Sequence, residues 1–255
     1  MPGNIQSIER AAAILRLLSG PNRRLGVVDL AGAMTLPKAT VHGILRTLLA
    51  VGFVEQDESS GKYQLGPALL HMGSSYLDGN ELRARALNWA DSLAARTQEA
   101  VRIGTLHDRR VLIVHHVFRP DDSFQTLEVG NLMPAHATSL GKVLLADNRY
   151  VMEDLLATGL DCFTGTTITT AEQFRAEIDR VAELGWATCA GELQEHQGTI
   201  SAPITDRSGR TVGAMGIVGP VERLLIEGGN PDAEMLTYVR EAARAVSREL
   251  GAIPW

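Results

Sequence analysis

The chain has little of what cross-linked, membrane-spanning or metal-binding proteins need. Its 255 residues include only two cysteines, Cys162 and Cys189. They offer neither a disulfide framework nor the paired spacing of zinc ligands. No apolar run approaches the ~20 residues that span a bilayer, and the first residues lack the pattern of a secretion signal. These absences predict a protein of the reducing cytoplasm, with no membrane partner.

The usual motifs of catalysis are also missing. We find no G-x-S-x-G elbow, no phosphate-binding Walker loop and no H-E-x-x-H motif. Gly213, Gly216 and Gly219 are spaced three apart, which does not match a dinucleotide fingerprint. His115 and His116 are adjacent on a predicted strand, so they face opposite ways and cannot share a metal. The sequence predicts no catalytic residue, no metal and no cofactor, and therefore a protein that is not an enzyme.

Acidic residues are scarce only near the N-terminus of this acidic chain. The formal net charge is −6, yet residues 1–66 hold seven Lys and Arg against five Asp and Glu. The remainder holds 17 basic and 25 acidic residues. A mildly basic segment joined to an acidic one suits a protein that places one end on phosphate groups. An excess of two positive charges does not by itself indicate DNA binding, so the prediction also requires a DNA-binding motif.

The N-terminal segment has the element order of a winged helix-turn-helix. Helical periodicity predicts helices over 7–19, with Ser7 as N-cap, and over 27–34, with Val28 packed inward. A third helix starts with Pro37 in its first turn and runs to about Val51. Residues 53–65 then indicate a strand, a turn and a second strand. We therefore predict a DNA-binding domain over residues 1–66.

The third helix is the most informative segment. Its apolar residues fall at i, i+3, i+4, i+7 and i+8, which gives one core-facing stripe. The other face is small, hydroxyl-bearing or basic, and no acid occurs from Lys38 to Val54. Such a face suits the major groove of DNA, although an ordinary amphipathic surface helix remains the alternative. The predicted DNA-binding residues are Lys38, Ala39, Thr40, His42, Gly43, Arg46, Thr47 and, on the hairpin, Lys62.

Several motifs resemble those of one family along the whole chain. The N-terminal ones are Pro37–His42, Leu45–Leu48, Gly52–Val54 and Tyr63–Gly66. The others are Pro134–Lys142, Thr164–Ile168 and Ser201–Ile204. Together they resemble the IclR-type transcriptional regulators, and residues 4–11 and 115–122 are most similar to the glycerol operon regulators of actinobacteria. Many relatives have Ser at position 39 and Arg at position 43, so distant relatives are a poor guide to the operator sequence.

Beyond residue 66, we predict a linker helix over 67–80 and an effector-binding domain over 81–255. Strands are expected at 100–106, 110–118, 124–129, 186–190, 199–205 and 211–218. Helices are expected at 81–96, 139–146, 150–158, 171–184 and 232–250. Strands interleaved with helices indicate an α/β sheet domain, which the resemblance implies to be GAF-like. The predicted fold class is thus α+β, with a winged helix-turn-helix joined to this domain.

Two segments are predicted to form the effector site. Thr138 and Ser139 open a helix whose first turn adds Gly141 and Lys142, a combination of N–H groups, hydroxyls and an ammonium that suits an anion. Alternatively, Thr138 is only an N-cap and Lys142 is solvated. The resemblance favours the site, because the matching loop lines the effector pocket in relatives. The predicted residues of this first segment are Thr138, Ser139, Leu140, Gly141 and Lys142.

The second segment contains Cys189, Glu192 and Thr199, followed by Gly216 and Val218 on a later strand. Relatives place two or three acids near Glu192 and serines at positions 216 and 218. This chain keeps one acid and neither serine, which favours an anionic ligand. Arg102 would supply counter-charge, unless it lies on the surface.

The combined hypothesis is a repressor of a glycerol catabolic operon. Two chains, or a dimer of dimers, would bind double-stranded DNA at an inverted repeat, and a small anion such as glycerol 3-phosphate would release them. Two alternatives remain open. One is a repressor or activator of aromatic or organic-acid catabolism with a carboxylate effector, and the other is an enzyme with an accessory DNA-binding module.

Overall fold

Three helices and a hairpin open the chain in the computed structural model, which describes residues 4–121, 123–226 and 229–252. The elements are α1 (Gln6–Leu18), α2 (Val27–Met34), α3 (Lys38–Ala50), β1 (Val54–Gln56), β2 (Tyr63–Leu65) and α4 (Pro67–Asp78). They form one of two compact units, Met1–Gly79; the other is Asn80–Trp255. This order confirms the predicted winged helix-turn-helix.

The core of the first unit is built from one face of each of the helices α1, α2 and α3, together with the hairpin. Its buried residues include Ile14, Leu18, Leu30, Val41, Leu45, Leu48, Val54 and Tyr63. Tyr63 also pairs its backbone with Leu25: each N–H donates to the other residue's carbonyl, at 2.8 and 3.1 Å. The hairpin is therefore tied to the segment between α1 and α2 by hydrogen bonds as well as by packing.

Three local expectations in this unit are wrong. Helix α1 begins at Gln6 after Ile5, and no side chain caps it, so Ser7 is not the N-cap. Pro37 precedes α3 as its N-cap and does not occupy the first turn. Val28 is 62% exposed, whereas Leu30 is fully buried. Two positions along a helix correspond to about 200° of rotation, so these two side chains cannot face the core together.

The second unit holds the remaining elements. They are α5 (Glu81–Thr97), β3 (Ala100–His107), β4 (Arg110–Val117), β5 (Leu132–Pro134), α6 (Ser139–Ala146), α7 (Arg149–Thr158), α8 (Ala171–Leu184), β6 (Ala187–Ala190), β7 (Gln197–Thr205), β8 (Thr211–Pro220), α9 (Val221–Leu224) and α10 (Ala233–Glu249). The strands form one six-stranded sheet in the order β5-β4-β3-β8-β7-β6. Each of these neighbouring pairs is antiparallel.

Helices cover both faces of this sheet. Helices α5 and α10 pack on each other and on the strands, and α6 packs on β3, β6, β7 and β8. A Cβ atom added at Gly213 would meet Leu82 of α5, whereas one added at Gly104 would lie beside Leu140 of α6. Because side chains alternate along a strand, Arg102, Gly216 and Val218 share the α6 face. The predicted α/β domain is confirmed.

The expected strand over 124–129 does not form. Phe124 is 96% and Leu127 58% exposed, so neither side chain packs against the sheet. The Gln125 side chain instead bonds the backbone of Arg119 twice, accepting from its N–H at 2.7 Å and donating to its carbonyl at 2.9 Å. These bonds close a loop that competes with a ladder. The edge strand is β5, a few residues later.

Candidate nucleic-acid interface and ligand cavity

Helix α3 presents the predicted face outward. Val41, Leu45 and Leu48 are buried. On the other side, Lys38, Ala39, His42, Arg46 and Thr47 are exposed, and Thr40 and Gly43 are half-buried. The ion pair found in the described part of this unit joins Arg24 to Asp57 at 3.4 Å, and neither residue belongs to α3. The cations of α3 are thus available to an external anion.

The hairpin adds a second basic surface. Lys62 is exposed and lines an open groove with Arg23 and Arg24, from the turn between α1 and α2. Sequence reasoning missed the two arginines, although their adjacency was visible. Asp57 accepts bonds from the N–H groups of Ser59 (3.1 Å) and Ser60 (2.8 Å), and their hydroxyls and amides hold its pKa well below its usual range. That carboxylate organises the turn before Lys62.

The second unit contains a cavity between the start of α6 and the sheet. Nine of the eleven predicted effector residues line it: Arg102, Thr138, Ser139, Leu140, Cys189, Glu192, Thr199, Gly216 and Val218. Its volume in this structure is about 20 Å³, enough for about one water molecule. Residues that sequence reasoning missed also line it: Met133, Ala137, Leu193, Gln197 and Ser201. The structure thus brings distant segments to one place.

Helix α6 begins at the wall of this cavity. Thr138 caps the helix, its hydroxyl accepting from the Gly141 N–H at 3.2 Å. No acceptor among the described residues takes the N–H groups of Ser139 and Leu140. Both line the cavity, and unpaired N–H groups at a helix start attract anions. The start of α6 is therefore a candidate position for an anion.

Gly141 is absent from the cavity wall for a steric reason. A Cβ atom at this position would lie 2.1 Å from the carbonyl oxygen of Ala135, a backbone atom. The glycine therefore lets α6 approach the preceding segment closely, a use typical of glycine in packed backbones. Its role is in packing, which corrects its assignment as an effector contact.

Lys142 differs from both expectations, since it is neither solvated nor in the cavity wall. It is 1% exposed, and its ammonium bonds Glu192 at 2.5 Å, Glu177 at 3.3 Å and the Thr188 carbonyl at 3.4 Å. Burial opposes its charged form, but the carboxylates of Glu192 and Glu177 outweigh burial and raise its pKa. The ammonium that was expected to bind the anion of a ligand is already paired with two carboxylates of the chain.

Arg102 is also paired internally. Its side chain is 11% exposed and forms an ion pair with Glu128, which is 17% exposed. Burial lowers the pKa of Arg102, and Glu128 opposes that effect. Burial likewise raises the pKa of Glu128 against the influence of Arg102. Arg102 is thus a cavity residue, as expected, but its charge already has a partner.

Two buried polar atoms in the cavity wall have no partner among the described residues. They are Oε2 of Glu192 and Oγ1 of Thr199. Glu192 is 7% exposed, and its other oxygen receives the Lys142 ammonium and the Cys189 thiol. Burial raises the pKa of that thiol. Unpaired buried acceptors and hydroxyls are costly unless a ligand or water satisfies them, which marks this wall as a binding surface for a polar molecule.

Ser201 supplies a hydroxyl next to position 216, where relatives have a serine and this chain has a glycine. It lies opposite Gly216 in the β7–β8 register and bonds the Ser139 hydroxyl at 2.7 Å. A Cβ atom at Gly216 would lie 2.1 Å from the Ser201 hydroxyl oxygen. A serine at position 216 would therefore collide with it. In this chain the hydroxyl comes from the neighbouring strand.

The described residues contain no group of three or more His, Cys, Asp or Glu side chains placed to hold a metal. A search of the same residues for a helix long and apolar enough to cross a membrane finds none.

Comparison with known proteins identifies the family. Residues 7–58 match the IclR helix-turn-helix domain, and residues 74–248 match the Bacterial transcriptional regulator IclR C-terminal domain. The Glycerol operon regulatory protein of Streptomyces griseus is 52% identical over 252 residues, covering 99% of both chains. Its name is that of a transcriptional regulator, not of an enzyme, as the sequence predicted.

Solved structures agree over the whole chain. An IclR transcriptional regulator from Alicyclobacillus acidocaldarius is 26% identical, with a TM-score of 0.80 over 98% of this chain and 100% of its own. An IclR homolog from Microbacterium hydrocarbonoxydans, complexed with 4-hydroxybenzoate, has a TM-score of 0.81 at 23% identity over 96% and 99%. With both domains matched and the basic face of α3 exposed, the chain belongs to the IclR family of bacterial transcriptional regulators.

Proposed function

We propose that this regulator represses a glycerol catabolic operon and is released from DNA by a small anionic effector, glycerol 3-phosphate. The observation that carries the DNA-binding half is the exposed, acid-free face of α3. Lys62 and Arg23 line a separate basic groove of the same unit. The glycerol half is supported by the 52% identity to a Glycerol operon regulatory protein across 99% of both chains.

The cavity chemistry supports a polyol phosphate as effector. The N–H groups of Ser139 and Leu140 suit phosphate oxygens, and Arg102 contributes a guanidinium to the same wall. The unpaired Thr199 hydroxyl and Glu192 oxygen suit the hydroxyl groups of a polyol. The cavity of about 20 Å³ in this structure has room for about one water molecule, so a three-carbon effector requires its walls to move apart. Each group thus has a complementary partner in glycerol 3-phosphate.

We propose that two chains bind one inverted-repeat operator, because a two-fold protein requires a pseudo-palindromic site. Helix α4 has no buried residue, and Leu70, Met72 and Tyr76 on it are more than half exposed. Apolar side chains that remain exposed on a single chain favour a second copy as their cover. Light scattering of the purified protein tests this assembly: a monomer at micromolar concentration contradicts it.

The effector test is a competition on DNA. A labelled fragment from upstream of the protein's own gene is bound at low salt and titrated with glycerol 3-phosphate, glycerol or 4-hydroxybenzoate. We expect release by glycerol 3-phosphate, because an effector shifts the equilibrium only if it binds the DNA-incompetent state more tightly. Release by 4-hydroxybenzoate alone would favour a regulator of aromatic-acid catabolism. Tighter DNA binding with effector would indicate an activator.

A further inference from the structure

The second unit contains an open cleft beside the ligand cavity. Arg102 and Val218 line both spaces, whereas Glu128 lines only the cleft. The Arg102–Glu128 ion pair therefore stands where the cleft meets the cavity. Resting on the proposed anionic effector, we propose that Glu128 occupies the effector's anion position on Arg102, and that binding exchanges this internal carboxylate for the ligand's anionic group.

The two partners are anchored very differently. Arg102 lies in the middle of β3, paired with His116 of β4 on one side and with Gly216 of β8 on the other. Glu128 lies in the irregular segment between β4 and β5, and its N–H donates to Nδ1 of His116 at 3.3 Å. Its neighbour Leu127 is 58% exposed. The cation is fixed in a sheet, whereas the carboxylate is on a loop outside the strands, held by the backbone bonds of Glu128 to His116 and Asn131.

The need to keep Arg102 paired with an anion makes the exchange selective for anionic ligands. A guanidinium that is 11% exposed needs an anion beside it, since a buried charge without a partner is strongly destabilising. A phosphate or carboxylate can take over that role and form two parallel bonds to the guanidinium. A neutral polyol cannot, because displacing Glu128 would leave Arg102 unpaired. Glu128 thus makes the cavity respond to anions and exclude uncharged analogues.

This exchange predicts that removal of the Glu128 charge improves anion binding. In Glu128→Gln the ligand no longer competes with an internal carboxylate, so we expect glycerol 3-phosphate to bind about tenfold more tightly, or better, on the scale of close charge pairs. Glu128→Ala should show the same gain. The double variant Glu128→Gln, Arg102→Gln should show no gain in affinity, because the guanidinium that binds the anion is missing. Isothermal titration measures the affinity of the full-length parent protein, of the two Glu128 variants and of the double variant.

Glu195 provides the matched control. It is an exposed carboxylate in the same cleft, and the ion pair of Arg102 is with Glu128. Glu195→Gln removes the same charge from the same surface and should change affinity by less than about twofold, as expected for an exposed, screened charge. Equal gains in the Glu128 and Glu195 variants would mean a general field effect and would overturn the exchange. No gain in either Glu128 variant would overturn it as well.

Inorganic phosphate separates this inference from the effector assignment. If the parent protein ignores glycerol 3-phosphate but Glu128→Gln gains affinity for inorganic phosphate, the exchange stands and the proposed effector fails. If Glu128→Gln, shown to be folded by circular dichroism, binds neither phosphate nor glycerol 3-phosphate, the exchange itself is wrong.

Discussion

Replacement of Lys142 by methionine tests whether its ion cluster supports the fold. The side chain is 1% exposed, and the change would leave the buried Glu192 carboxylate without its cation and Glu177 with Arg180 alone. Breaking a buried pair by removing one partner costs about 3–5 kcal/mol. For a domain of this size each kcal/mol lowers Tm by about 2–4 °C. Lys142→Met should therefore lower Tm by about 6–20 °C in calorimetry.

The control for this variant is Arg175→Met. Arg175 pairs with Glu153 through two bonds, at 2.6 and 2.9 Å, but both side chains are about half exposed. It should leave Tm close to that of the parent protein, because exposed pairs contribute little. Adding Glu192→Leu to Lys142→Met should recover part of the loss, since apolar replacement of a buried pair is tolerated. A Tm for Lys142→Met equal to that of Arg175→Met would refute a structural role.

Two further predictions follow from packing and burial. Gly141→Ala places a Cβ atom 2.1 Å from the Ala135 carbonyl oxygen and should lower stability by about 1–3 kcal/mol in urea unfolding, whereas Gly43→Ala meets nothing within 4 Å and should raise it by about 0.5–1 kcal/mol. An unchanged midpoint for Gly141→Ala would contradict the close approach. Burial, the Arg102 guanidinium and His115 lower the pKa of His116 from 6.5 to about 4. Its contribution to stability is therefore complete above pH 6.5 and decreases as the pH falls towards 4; His116→Gln should flatten this part of the stability profile.

Local pattern predicted the elements of this protein well. The five apolar residues of α3 and the strand-turn-strand after it are short-range signals, and the structure has both. The segment 124–129 shows the limit of such signals. Its composition suggests a strand, but a strand needs a partner, and the Gln125 side chain ties this backbone into a loop. Pairing depends on distant chain segments and is not visible in a local window.

The same limit applies to the charges of the cavity. Sequence reasoning placed Arg102, Thr138 and Glu192 at one cavity, and the structure does bring them together. It could not predict that Lys142 meets Glu177 and Glu192, or that Arg102 meets Glu128, because these partners come from separate elements. Ion pairing is decided by three-dimensional proximity. Sequence reasoning therefore placed Lys142 and Arg102 in the right region, but it did not show that carboxylates of the chain already pair with them.

We propose that the acid-free face of α3 contacts DNA. Fluorescence anisotropy with an upstream fragment of the protein's own gene tests it most directly, comparing Arg46→Ala with Arg16→Ala, an exposed arginine on α1. We expect Arg46→Ala to lose about 1–3 kcal/mol of binding free energy and Arg16→Ala to bind like the parent protein. Equal affinity of all three proteins, or no binding to the fragment at low salt, would contradict the claim.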